Sequence, residues 1–137
     1  MYIINKEYYP VIIISFNSNK YDNTTIEEYK KDYVKLLISS KQNNVKLIIV
    51  YVMLDTLEVD MNIARDMYNF SQTIRKENLE AVRKICILNN NSGINALLKT
   101  FKPLNNLVES VSYKVFSKKN DLIKYINSKY NLTIFLA

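Results

Sequence analysis

Apolar and polar positions along this chain switch between two rhythms. Two short extended stretches open it, Tyr2 to Glu7 and Val11 to Phe16, with Pro10 between them. A residue that lacks an amide donor suits a turn or a strand start, so a β-hairpin is expected. The period then changes: Ile26, Tyr29, Tyr33, Leu36, Leu37 and Ser40 recur at spacings of three and four, which gathers them into one buried stripe of an amphipathic helix. Asn23-Thr24-Thr25 offers that helix an N-cap, with Glu27 and Glu28 facing the positive end of its dipole. Lys30, Lys31 and Lys35 fall mostly off the stripe.

After the polar break at residues 41–44, the run from Val45 to Met53 is nearly all apolar and β-branched, as a central strand covered on both faces requires. Ile63, Met67, Phe70 and Ile74 mark a second helix from about Asp60 to Lys76, with residues 77–80 extending it or leading into the next strand. A strand follows at Val82 to Leu88. Asn89-Asn90-Asn91-Ser92 supplies turn and cap residues for a short helix bearing Ile94, Leu97, Leu98 and Phe101, which must stop before Pro103. Val111 to Phe116 alternates like a strand, and Asn120 or Asp121 caps a last helix carrying Leu122, Ile123, Ile126 and Tyr130. The order β-β-α-β-α-β-α-β-α, with crossovers of the length parallel pairing needs, predicts one α/β domain over residues 1–130 with a mixed, mostly parallel sheet. Residues 131–137 form an apolar tail, expected to add to a sheet edge in this chain or in a neighbour.

Composition changes this picture mainly by exclusion. The 137 residues, 48% hydrophobic and 23% charged, bury a core without disulfide or metal staples. The enrichment in Asn, Lys, Ile and Tyr has the character of an AT-rich coding genome, as in some protozoa and large viruses, and weakens any argument from an Asn or Lys cluster. There is no histidine and a single cysteine, Cys86, inside an apolar run. The commonest metal ligand and any thiolate cage are therefore missing, and histidine-dependent triads and dyads with them. The one glycine, Gly93, is too few for a P-loop or dinucleotide fingerprint. Val11 to Ile14 is too short to span a membrane and the start of the chain lacks a basic leader region, so a cytoplasmic location is expected. The net charge of +6 is uneven: residues 1–74 hold 8 basic and 9 acidic side chains, residues 75–137 hold 11 and 4. A basic second half attracts anionic partners, although a solvated lysine surface is the simpler reading.

The pattern resembles the STAS fold, named for sulfate transporters and anti-sigma-factor antagonists, over roughly residues 2–129. The stretch that carries the likeness is Val82 to Leu88, a short helix, and then Val111-Ser112-Tyr113-Lys114-Val115-Phe116 running straight into the last helix. In relatives a strand ending in Val-x-Val-Phe likewise leads into a helix that covers the sheet. Regulatory members carry an Asp-Ser pair after the central strand, and the serine starts the next helix and is phosphorylated to release a kinase-like partner. Here Asp60 matches the aspartate, whereas Met61 stands at the serine position. The resemblance therefore implies a protein-binding module without that switch, and Thr56, the nearest hydroxyl, lies before the helix start.

The segment Asp55, Leu57, Glu58, Asp60, Met61 and Asn62 is the candidate partner-binding surface. Its three carboxylates sit at a strand's C-terminal end, where ligands of α/β sheets bind. They could hold Mg²⁺, but capping of helix amides accounts for them with fewer assumptions. Met53 and Met67 read as core and Met61 as exposed. The leading expectation is a non-catalytic interaction module with a protein partner, a second copy in a homodimer being one candidate, and with no cofactor or metal. The alternatives are a small apolar ligand or lipid, or nucleic acid held by the basic second half, where Tyr113 and Tyr125 stand among lysines while Tyr29 and Tyr33 read as packing.

Overall fold

β-Branched residues crowd each other in a helix and pack well on a pleated surface, and the two longest such runs of this chain form the middle of its sheet. The structure, a computed structural model, describes residues 1–58, 60–77, 81–91, 94 and 113–136. Its strands are β1 (Tyr2–Asn5), β2 (Val11–Phe16), β3 (Leu47–Met53), β4 (Val82–Leu88) and β5 (Tyr113–Phe116), and its helices are α1 (Asn23–Gln42), α2 (Met61–Glu77) and α3 (Lys119–Tyr130). The five strands lie in sequence order, β1-β2-β3-β4-β5. β1 is antiparallel to β2, and the other neighbours are parallel. The fold is thus α/β with a mixed, mostly parallel sheet. The expected short helix at Leu97, Leu98 and Phe101 and the strand start at Val111 and Ser112 lie outside the described residues, as does Val59.

The hairpin turns through residues 6–10, where Tyr9 N–H donates to Lys6 O and Val11 N–H to Tyr8 O, and the Tyr9–Pro10 bond is cis. All six stripe residues of α1 are buried. Tyr29, Tyr33, Leu36 and Leu37 pack with Phe70 and Ile74 of α2 against Ile12, Ile14, Phe16, Ile49, Ile85 and Ile87 on one face of the sheet. Because both helices cross on the same face while the sheet grows in one direction, their crossovers share one hand. The Ser40 hydroxyl, buried at the end of α1, donates to Val45 O and Ala81 O and ties the helix to the starts of β3 and β4.

The alternate residues, Val11, Ile13, Ile48, Val50 and Cys86, form a second core beneath Leu122 and Ile126 of α3. Burial on both faces explains the unbroken apolar runs of β2 and β3. The tail belongs to this second core. Ile134 is buried there and Leu132 and Leu136 pack around it, while Phe135 points outward with 69% of its surface exposed. Among the described residues the tail forms no strand pairing, and instead of extending an edge it seals a face. Ile134 N–H donates to Asn127 Oδ1 and Leu132 N–H to Asn127 O, and Asn131 takes the left-handed conformation that ends α3.

Two helix starts differ from the sequence-based expectation. Asp22, rather than residues 23–25, caps α1 by accepting from Thr25 N–H at 2.8 Å, which holds its carboxyl below the usual carboxylate range. Glu27 and Glu28 consequently fall in the second turn. The last helix begins at Lys119, with Lys118 in the cap position and no side-chain cap bond, so Asn120 and Asp121 already lie inside it.

Candidate functional site

Parallel strands deliver their C-terminal ends to one edge of a sheet, and the loops after β2, β3 and β4 meet there. The loop after β3 folds first upon itself, Leu57 N–H donating to Leu54 O at 3.2 Å. The loop after β2 then grips one side of it: Glu58 N–H donates to Asn19 O at 2.6 Å, and the Thr56 hydroxyl donates to Asn19 Oδ1. The loop after β4 grips the other. Asn91 Nδ2 donates to Asp55 O at 2.9 Å and to Leu57 O at 2.8 Å, while Asn91 Oδ1 accepts from Ile94 N–H at 3.2 Å. Asn91 N–H in turn donates to Asn89 Oδ1, and Asn89 N–H to Phe116 O at the end of β5. Both asparagines are buried, so their amides stand in for the solvent that a loop backbone otherwise needs.

The six candidate residues all fall on this pinned segment, in different roles. Asp60 is the N-cap of α2, its Oδ1 accepting from Asn62 N–H at 2.8 Å and Ile63 N–H at 3.2 Å and its carbonyl from Ala64 N–H. Leu57 is half-buried, and Asp55, Glu58 and Asn62 are exposed. The side chains of Asp55 and Glu58 make no hydrogen bond or ion pair among the described residues. Met61, the first residue of α2, is 53% exposed. Among the described residues no group of three or more His, Cys, Asp or Glu side chains comes together to hold a metal ion. The surface thus presents two carboxylates and a thioether on a backbone fixed from both sides.

Asn19 and Asn91 are the residues that sequence reasoning missed. Asn91 is legible as a turn and cap residue, and it does bond to Ile94. That its amide also reaches the loop at 55–57 depends on the strand register, which no local pattern carries.

Other chemistry in the fold is occupied with structure. Cys86 is fully buried, and burial pushes its thiol up to about 11 although Lys84, Lys114 and Lys129 pull the other way. An open cavity of about 570 Å³ lies beside β1 and the start of α1, lined by Met1, Tyr2, Ile4, Thr25, Glu28 and Asp32. Burial, and then the hydrogen bond from its hydroxyl to Asp32, hold the Tyr2 phenol well above its usual range. Two carboxylates in the lining make this a poor seat for a lipid. No helix among the described residues is long and apolar enough to cross a membrane. No protein-family model, curated protein or solved structure matches the chain.

Proposed function

We propose that this chain is a non-catalytic, STAS-like interaction module that captures a protein partner through the loop after β3 and the first turn of α2. The observation that carries the reading is the position of Met61: an apolar, adaptable side chain, 53% exposed, on a segment whose backbone is already fixed by Asn19, Asn91 and the Asp60 cap. A contact loop that is ordered before binding loses little entropy when the partner arrives. Thioethers fit themselves to uneven apolar surfaces. Asp55 and Glu58 are exposed on the loop that leads to the methionine, so the matching partner surface is an apolar recess bordered by basic or amide donors. With methionine where the regulatory family members place serine, partner release here does not run through phosphorylation at that position.

The test replaces Met61 by Asp. Its exposure sets the expected stability change within about 0.5 kcal/mol, while capture of the partner from the native source falls away. A large drop in melting temperature would instead put Met61 in the core and end this reading. Light scattering of the purified chain asks whether the partner is a second copy, in which case Met61→Asp also lowers the measured mass.

A further inference from the structure

A separate surface lies on the second face of the sheet, where the side chains of β4, β5 and α3 alternate in a row of cations and rings. Arg83 sits over the Tyr130 ring at 4.8 Å. Lys129 follows, 5.7 Å from the Tyr130 centroid and 5.3 Å from that of Tyr125. Lys114 comes next, 4.5 Å from Tyr125 and 5.5 Å from Phe116. The rings step along the same line, Tyr130 to Tyr125 at 6.4 Å and Tyr125 to Phe116 at 5.3 Å. The row joins β4 to β5 and α3, which follow it only after residue 112. Its regularity follows from register, since Lys114 pairs with Cys86 across β4–β5 and so shares the face that α3 covers.

The charges here are of one sign. Arg83, Lys114 and Lys129 enter no ion pair among the described residues, where the ion pairs are those of Lys30 with Glu27 and Asp66. Burial raises the Tyr125 phenol, yet the hydrogen bond from Lys129 and the charges of Lys84 and Lys129 outweigh it and bring the group below its ordinary value. A cation array held on ring faces, whose three members form no ion pair among the described residues, is arranged for an anion.

We propose that this row binds single-stranded nucleic acid, the three cations taking successive phosphates and the rings of Tyr125 and Tyr130 taking bases. Consecutive cations share a ring, Arg83 and Lys129 that of Tyr130, and Lys129 and Lys114 that of Tyr125. A phosphate that draws an ammonium off a ring leaves the ring face open, and single-stranded nucleic acid supplies a π-face at the same repeat as its phosphate. A free phosphate or a lipid headgroup brings the anion without the base, and a duplex keeps its base faces stacked inside. This surface is distinct from the loop at 55–62 and does not depend on the reading of that loop.

The test uses the full chain and fluorescence anisotropy with labelled 20-mers of deoxythymidine and of uridine at about 50 mM salt. Binding is expected, with affinity falling as salt rises at a logarithmic slope of about −2, the value for three phosphates on a single strand. Lys114→Gln and Lys129→Gln, both at exposed positions, each lower the slope by about 0.7. Tyr130→Leu weakens binding severalfold and leaves the slope unchanged, a split that loss of fold cannot produce; melting curves accompany each variant. Lys46→Gln, an exposed charge removed elsewhere, serves as the control with unaltered affinity. Four results would overturn the proposal: no binding at this salt, equal loss in the Lys46 control, equal affinity for a duplex of the same length, or capture by phosphatidylserine vesicles without capture of the oligonucleotides.

Discussion

Asn91 concentrates three jobs in one amide: it starts the chain segment after β4, holds Asp55 O and holds Leu57 O. Replacement by Ala leaves two half-buried loop carbonyls without their donor, at a cost of about 1 kcal/mol for each bond lost. The expected signature is a lower denaturation midpoint together with faster proteolytic cleavage between residues 54 and 60, and a cleavage rate equal to that of the unsubstituted chain would remove Asn91 as the anchor of that loop. Cys86 makes the opposite kind of prediction. Its folded-state value of about 11 lies above the ordinary 9.0, so the folded chain keeps a proton that the unfolded chain gives up. Its contribution to stability is complete below pH 9 and is lost as pH rises from about 9 to about 11. Below that window the thiol should react with a disulfide reagent only at the rate of unfolding, measured as labelling against denaturant. At this scale the sequence was legible for burial and poorly legible for polar partners. That Cys86 sits in a core follows from its apolar neighbours. That Asp22 rather than Asn23 caps α1 is decided by which residue takes extended backbone angles, and both side chains are able to cap.

Helices and strands were the most readable level. α1 shows its six buried residues directly in their spacing, and β2 and β4 have the bounds expected of them, Val11 to Phe16 and Val82 to Leu88. Lys30 departs from the simple pattern: it lies beside the stripe yet bridges Glu27 and Asp66 and rests 5.5 Å from the Phe70 ring, joining α1 to α2. The tail was the least readable element. Alternating Leu132, Ile134 and Leu136 imply one buried edge, and the same pattern fits a strand added to a sheet or a cover laid over one. The cover is what forms, fixed by the two bonds to Asn127. Ile134→Ala is therefore expected to destabilise the fold by about 2–4 kcal/mol, whereas Phe135→Ala, at the exposed neighbour, changes it by less than about 0.5 kcal/mol. Equal denaturant midpoints for the two variants would mean that the tail does not dock.

For the molecule as a whole, hydrophobic burial is greatest where two cores share a strand. β2 and β3 contribute to both, with Ile12, Ile14 and Ile49 facing α1 and Val11, Ile13, Ile48 and Val50 facing α3 and the tail. Their amides should exchange with deuterium only through global unfolding, and those of β1, paired on one side only, earlier. Mass-resolved exchange of native protein checks the order, and early exchange from β3 would contradict a double core. The fold class was readable because alternating strand and helix patterns leave few arrangements. The loop junction at Asn19 and Asn91 and the row from Arg83 to Phe116 were not, because each unites residues that only the register brings side by side.

The sequential order of the strands carries a consequence for the life of the chain. During synthesis at about 5–20 residues per second, every new strand from β2 onward finds its neighbour already made, so the growing edge is covered soon after it emerges. The face of Val11, Ile13, Ile48 and Val50 has no such escort. Among the described residues its cover, Leu122, Ile126 and Ile134, arrives last, and in that interval this apolar surface lacks it. A chaperone that shields the nascent chain would find its natural target there, and translation that stalls within residues 89–112 would lengthen the exposure.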